Sequence, residues 1–178
     1  PAVRAPETRA PAALTRGYPG GTPAFVSAMN RKAAELGMQR TRFVDGTGLS
    51  SDNVSTARDL ARLVSAAYRH ALIRQYSTDY AHTGDPATGR RLQYSNSNRL
   101  VRNSHWEIGL SKTGYISEAG RCLVLQTRIA ARPLIIILLD SWGRLTRIGD
   151  ANRIKRWIES NQSRLPGAVE HPPRRPAG

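Results

Sequence analysis

Lys112, Thr113 and Gly114, preceded by Ser111, place a cation, a hydroxyl and a residue without a side chain on consecutive positions. At the exposed edge of a strand this combination suits an extended peptide ligand. The edge offers backbone groups for pairing, Lys112 attracts a carboxylate, and Thr113 can hydrogen-bond it. Gly114 lets a second backbone come close, and the Tyr115 N–H can point at a developing oxyanion. As a bare tripeptide the residues also fit a surface lysine followed by a strand-terminal glycine, so the rest of the chain must decide.

Other chemistries find less support. His70, His82, His105 and His171 have no metal-ligand spacing and no cysteine or carboxylate cluster beside them, so neither a metal nor a cofactor is expected. There is no glycine-rich phosphate loop and no Gly-x-Ser-x-Gly elbow. Ser51-Asp52-Asn53 spells a Ser-x-Asn triplet, but it stands in a loop just ahead of a helix start, where turn and cap bonding is the expected role. Asn96 and Asn98 are expected to hold the chain that leads into the lysine strand. Cys122 is the sole cysteine and reads as a small buried hydrophobe. Trp106, Trp142 and Trp157 read as packing residues, with Trp106 the one near the proposed site.

The elements that must position Lys112 follow from spacing. Thr22 followed by Pro23 starts a helix over Pro23 to Leu36, with Phe25, Met29, Ala33 and Leu36 on one face and Gly37 permitting the stop. Thr56 with Asp59 three residues on suggests a capping box, and Leu60, Leu63, Val64 and Ala67 form the buried stripe of that helix. Three strands come next: Ile108 to Thr113, Arg121 to Ile129, and Pro133 to Ser141, with a turn over Ala130 to Arg132. The apolar run Leu134 to Leu139 suits a strand covered on both faces. A closing helix over Arg147 to Ser160 turns Ile148, Ala151, Ile154 and Trp157 or Ile158 onto the sheet. The fold class is α/β, as an α+β sandwich: an antiparallel sheet flanked by helices. Prolines at both ends suggest a loose leader over residues 1–21, a folded domain over 22–161 and a disordered tail over 162–178.

The chain of 178 residues suffices for one domain with a core, and no run has the length and apolarity of a membrane span. The net charge of +14 is almost wholly arginine, the only lysines being Lys32, Lys112 and Lys155. Without a basic helix stripe or interleaved aromatics, it reads as a solvated surface rather than a nucleic-acid site. No signal peptide is visible from Pro1 onward.

Several phrases occur in one order: Phe25-Val26-Ser27-Ala28-Met29-Asn30-Arg31-Lys32-Ala33, Leu36-Gly37-Met38, Thr47-Gly48-Leu49, Ser55-Thr56-Ala57-Arg58-Asp59-Leu60-Ala61 and Asn96-Ser97-Asn98 before the lysine motif. Together they resemble the low-molecular-mass penicillin-binding proteins, which are serine-type D-alanyl-D-alanine carboxypeptidases and endopeptidases. The likeness runs from Tyr18 to Glu159, and Ile116 to Cys122 is closer to the endopeptidase branch. It implies a β-lactamase/transpeptidase-like fold, here its later part with the N-terminal part missing. It also implies D-alanine-containing peptidoglycan peptides and β-lactams as ligands, and a periplasmic or cell-envelope location. Lys112, Thr113 and Gly114 then match the family's third active-site motif, flanked by Ser111 and Tyr115 on the substrate-binding strand.

The family's nucleophile is the serine of a Ser-x-x-Lys turn, whose lysine is placed to take the hydroxyl proton. Three positions before the lysines stand Met29, Gly109 and Asn152, so no such motif occurs in this chain. It is expected either upstream or lost. The family's Ser-x-Asn motif aligns with Pro6-Glu7-Thr8, where the hydroxyl and amide are replaced. The expectation is a D-alanyl-D-alanine peptidase, incomplete in this chain; the alternative is a catalytically dead fragment or pseudoenzyme that at most binds peptidoglycan stems.

Overall fold

A computed structural model describes residues 5–84 and 92–165. Helices α1 (Ala5–Gly17), α2 (Gly21–Glu35), α3 (Ala57–Ala67) and α4 (Ala71–Thr78) precede a hairpin of β1 (Ala81–Gly84) and β2 (Leu92–Ser95). Then come β3 (Glu107–Ile116), β4 (Gly120–Ile129), β5 (Arg132–Ser141) and a closing helix α5 (Thr146–Ser160).

The last three strands form an antiparallel sheet in the order β3-β4-β5, so β3 has one edge open. Between β4 and β5, Ala130 and Ala131 both have positive φ, 51° and 63°, the backbone of a tight hairpin turn that usually recruits Asn and Gly. Gly120 also has a positive φ of 63°, and a Cβ there would lie 2.9 Å from the Asp140 Cα, so both conformation and space demand glycine.

One sheet face carries the core. Leu123, Leu125 and Ile129 of β4 are essentially inaccessible, and the register sets Leu123 opposite Leu138 and Leu125 opposite Ile136. Ala151 and Ile158 of α5 are buried in this cluster, with Ile148 and Ile154 packed against it and Leu100 and Trp106 completing it. Each fully buried aliphatic contributes about 1.5–3 kcal/mol of transfer free energy. The stripe expected on α5 is present, with Ile158 taking the inward position and Trp157 58% exposed.

Several expectations are corrected. Residues Ala5–Gly17, read as loose leader, form α1, which continues through Pro11. Its Thr15 is buried and donates from Oγ1 to the Pro11 carbonyl at 2.7 Å; packing on α2 compensates for the proline. Helix α2 begins at Gly21, with left-handed Gly20 as its cap, so Thr22 is in the first turn and not the cap. Strand β5 is covered in part on both faces: Ile136 is buried and Leu134, Ile135, Ile137 and Leu138 are half-buried, whereas Leu139 at the end of the run is 42% exposed. Strand β3 runs on to Ile116, placing the lysine motif inside the strand and not at its end. At the other terminus Gln162–Arg164 forms a 3-10 turn, and Leu165 packs on the core and accepts a 3.3 Å hydrogen bond from Arg132. Residues 166–178 of the expected tail lie outside the described residues.

The capping at Thr56 is as expected: Thr56 Oγ1 accepts from the Asp59 N–H at 3.2 Å. The Asp59 carboxylate does not return to Thr56. It accepts from the Arg40 N–H (2.8 Å), the Thr41 hydroxyl (2.9 Å) and Arg62 (2.7 Å), tying the segment after α2 to α3. Burial by itself raises the pKa of this carboxyl, but those donors outweigh it and hold it below the ordinary aspartate value.

Candidate functional site

The open edge of β3 is held from behind by one short loop. Asn96 Nδ2 donates to the carbonyls of Ser77 and Asp79, both at 3.0 Å, which anchors the loop to the end of α4. Asn96 Oδ1 accepts from the Asn98 N–H at 3.0 Å, and Asn98 Oδ1 caps the 3-10 turn Arg99–Arg102 through the Leu100 N–H. Asn98 is fully buried, and its Nδ2 donates to Ser111 Oγ at 2.8 Å. One position earlier, Ser97 Oγ and Thr113 Oγ1 share a hydrogen bond of 2.6 Å. Asn96 and Asn98 thus hold the loop as the sequence suggests. Ser97 was not singled out there, although its place between two loop-fixing asparagines is the signal that marks it.

Ser111 and Thr113 project toward this loop and are buried, whereas Lys112 is exposed. Lys112 Nζ donates to the Thr113 carbonyl at 2.6 Å. The Ser111 N–H donates to Ser77 Oγ at 3.4 Å, away from β4. In an antiparallel ladder alternate residues aim their backbone groups the same way, so Thr113 and Tyr115 also face the open side. At Gly114 an added Cβ would meet only Cys122 Cβ at 3.8 Å, an ordinary contact, and φ is not positive. Packing within the chain therefore gives no reason for glycine at that position.

Two clefts meet at Ser97. One, of about 230 Å³, is bounded by Tyr76, Ser77, Asn96, Ser97, Ser111 and Lys112. The other, of about 190 Å³, is lined by Ser97 and four arginines, Arg99, Arg121, Arg144 and Arg147. Sequence reasoning passed over these arginines because they come from three separated segments. The Tyr115 ring carries the Arg121 guanidinium 4.4 Å from its centroid, so two neighbours on paired strands fix each other beside the motif.

Elsewhere the candidates separate from the site. Ser51-Asp52-Asn53 is loop chemistry: Asn53 Oδ1 accepts from Val44 and Asp45 N–H, and the Asp45 carboxylate gathers Thr47, Gly48, Ser50 and Asn53. Burial alone raises the Asp45 pKa, and these donors bring it below its usual value. Trp106 is a core residue whose Nε1 donates to Asn152 at 3.0 Å, but Trp142 is 98% exposed and so does not pack. Cys122 is half-buried, not buried. Pro6, Glu7 and Thr8 lie in the first turns of α1.

With this geometry in place, the comparisons with known proteins are specific. A family model described as D-alanyl-D-alanine carboxypeptidase matches residues 3–142. A D-alanyl-D-alanine endopeptidase of Pseudomonas aeruginosa is 45% identical over 171 residues, covering 95% of this chain and 55% of that protein. The Escherichia coli protein of the same description is 45% identical over 164 residues, covering 90% and 52%. The chain spans about half the length of the curated relatives it matches. Among solved structures, a Streptomyces DD-transpeptidase superposes with a TM-score of 0.76 at 28% identity, over 85% of this chain and 62% of the other. A Listeria monocytogenes penicillin-binding protein, solved in a cefotaxime-bound form, superposes with a TM-score of 0.71 at 28% identity, over 84% and 60%.

Proposed function

Because this chain belongs to the D-alanyl-D-alanine carboxypeptidase family, we propose that it provides the substrate-binding edge of a serine-type D-alanyl-D-alanine peptidase. Its substrates are the D-alanine-containing stems or cross-links of peptidoglycan, and its place of action is the cell envelope. The observation that carries this reading is the hydroxyl pair Ser97–Thr113 beneath an exposed Lys112 on an open strand edge.

An extended peptide laid along β3 pairs with the backbone groups of Thr113 and Tyr115. Its terminal carboxylate is drawn by the Lys112 ammonium and accepts from Thr113, whose hydroxyl proton is oriented by Ser97. Gly114 leaves room for the peptide backbone, which accounts for a glycine that the chain's own packing does not require. Ser111, engaged by Asn98 and Ser77, serves as the pin that keeps the edge straight. The Tyr115 N–H stands on the same side as an oxyanion donor. Acylation needs an activated serine, and with no Ser-x-x-Lys in these 178 residues the edge by itself binds and orients without attacking.

That same observation favours a second reading, in which the chain binds D-alanyl peptides without turning them over. The intact mass after incubation with a penicillin, combined with calorimetric titration of an N-acyl-D-alanyl-D-alanine peptide, tests both. The expected result is no covalent adduct and a peptide affinity that falls about tenfold in Lys112→Met, consistent with loss of one charge-assisted hydrogen bond. A stoichiometric penicillin adduct would show a serine here activated by other means. Peptide binding indifferent to Lys112 and Thr113 would remove the assigned edge.

A further inference from the structure

The cleft beyond Ser97 is far more cationic than a single carboxylate requires. Four arginines line a space of about 190 Å³, and among the described residues no carboxylate forms an ion pair with Arg99, Arg121 or Arg144. Arg99, Arg121 and Arg144, so gathered, repel one another, and an anion entering the cleft offsets that repulsion. The 15-residue helix α5 starts at Thr146, so its first turn, with Arg147 and Ile148, forms part of the wall and adds the positive end of its dipole. Arg121 is held in place by the Tyr115 ring. The volume admits a short acidic side chain and not a polymer segment.

Position decides which acidic group this is. Ser97 is the wall shared with the lysine-motif cleft, and its hydroxyl is bonded to Thr113. In the proposed binding mode Thr113 receives the carboxylate of the residue to be released, so the arginine cleft lies beyond it, on the side of the leaving group. We infer that this cleft binds a second carboxylate carried by the leaving half of the substrate. It rests on the peptidase reading above and narrows it: a terminal D-alanine offers one carboxylate, whereas the leaving half of a stem cross-link carries further acidic groups. Arg99, Arg121 and Arg144 are then specificity residues that favour a cross-linked or acidic leaving group over terminal D-alanine.

The test is calorimetric titration of the 178-residue chain with two probes, N-acyl-D-alanyl-D-alanine and N-acyl-D-alanyl-D-glutamate. The two-carboxylate peptide is expected to bind about tenfold tighter in dilute buffer, with the advantage shrinking at about 0.3 M salt. In the variant Arg99→Gln/Arg144→Gln the advantage is expected to disappear while binding of the one-carboxylate peptide stays within about twofold, since Lys112, Thr113 and the Arg121 stack on Tyr115 are untouched. Arg99→Gln alone is expected to halve or more the preference without altering the melting temperature. Equal binding of the two peptides, or a preference that survives the double variant, overturns the inference and leaves the peptidase reading standing. Binding of neither peptide overturns that reading and this inference with it.

Discussion

Ser97 Oγ and Thr113 Oγ1 lie 2.6 Å apart although they are sixteen positions apart in the chain. Only one of the two hydroxyls can donate along that line, so the other keeps its proton for a third group. The bond therefore does more than fasten loop to strand: it sets the direction of a proton at the edge where a carboxylate is proposed to sit.

Removing that hydroxyl separates binding from folding. Thr113→Val is expected to weaken N-acyl-D-alanyl-D-alanine binding about tenfold while lowering stability by about 0.5–1.5 kcal/mol, the net worth of one hydrogen bond. Titration and urea unfolding on the same preparation check both halves.

The buried amide next to it behaves in the opposite way. Asn98 is fully buried and bonds Ser111 and the Leu100 N–H, so Asn98→Ala leaves both without their partner. A stability loss of about 1–3 kcal/mol is expected by urea unfolding, with any loss of peptide affinity following from a displaced β3. Asn98→Asp keeps the acceptor for Leu100 and can accept from the Ser111 hydroxyl, but it buries a carboxylate and should still be less stable than the parent chain.

The hairpin turn at Ala130 and Ala131 carries removable strain. Ala131 is exposed with φ of 63°, a conformation that costs a side chain about 1–2 kcal/mol. Ala131→Gly is expected to raise stability by up to about 1 kcal/mol, measured as a shift in urea midpoint at constant slope.

Acid sensitivity follows from two aspartates. The hydrogen-bond donors around Asp45 and Asp59 hold both carboxyls below the ordinary aspartate value in the folded chain. A group of this kind contributes stability that is fully present above its unfolded pKa and disappears as pH falls through its folded one. The melting temperature should be flat above about pH 5 and fall below about pH 4. In Asp59→Asn the chain should be less stable near neutrality and its melting temperature should drop less on acidification; an unchanged acid limb would show that Asp59 is not responsible.

Legibility in the sequence depended on whether a signal was local. The β3-β4-β5 sheet and α5 were readable because Leu134 to Leu139 and the spacing of Ile148, Ala151, Ile154 and Ile158 each announce one element from within. Helix α1 was hidden by Pro6 and Pro11: Pro6 lies in the first turn, where proline is tolerated, and the penalty at Pro11 is outweighed by packing on α2 that only the folded chain supplies. Helix α4 has no buried residue and hence no stripe to read.

The site divides in the same manner. Lys112, Thr113 and Gly114 were visible as consecutive residues, but Ser97, their hydroxyl partner, becomes informative only when the loop folds back. The charge of +14 was read as dispersed. Part of it converges instead, at the cleft beyond Ser97 and along the groove that holds Arg58, Arg62 and Arg69 on and just beyond α3.

The three sheet strands follow one another in the chain and are joined by Ser117 to Ala119 and by Ala130 and Ala131 alone. Such neighbours meet early during folding, because little chain entropy is lost in closing them. The ties that seat the motif reach farther, from Ser77 to Ser111 across 34 positions and from Asn96 back to Ser77 across 19. The seating of the loop against β3 is therefore expected to follow formation of the sheet, and amide hydrogens of the Asn96–Asn98 loop should exchange through local openings that leave Leu123 and Leu125 protected.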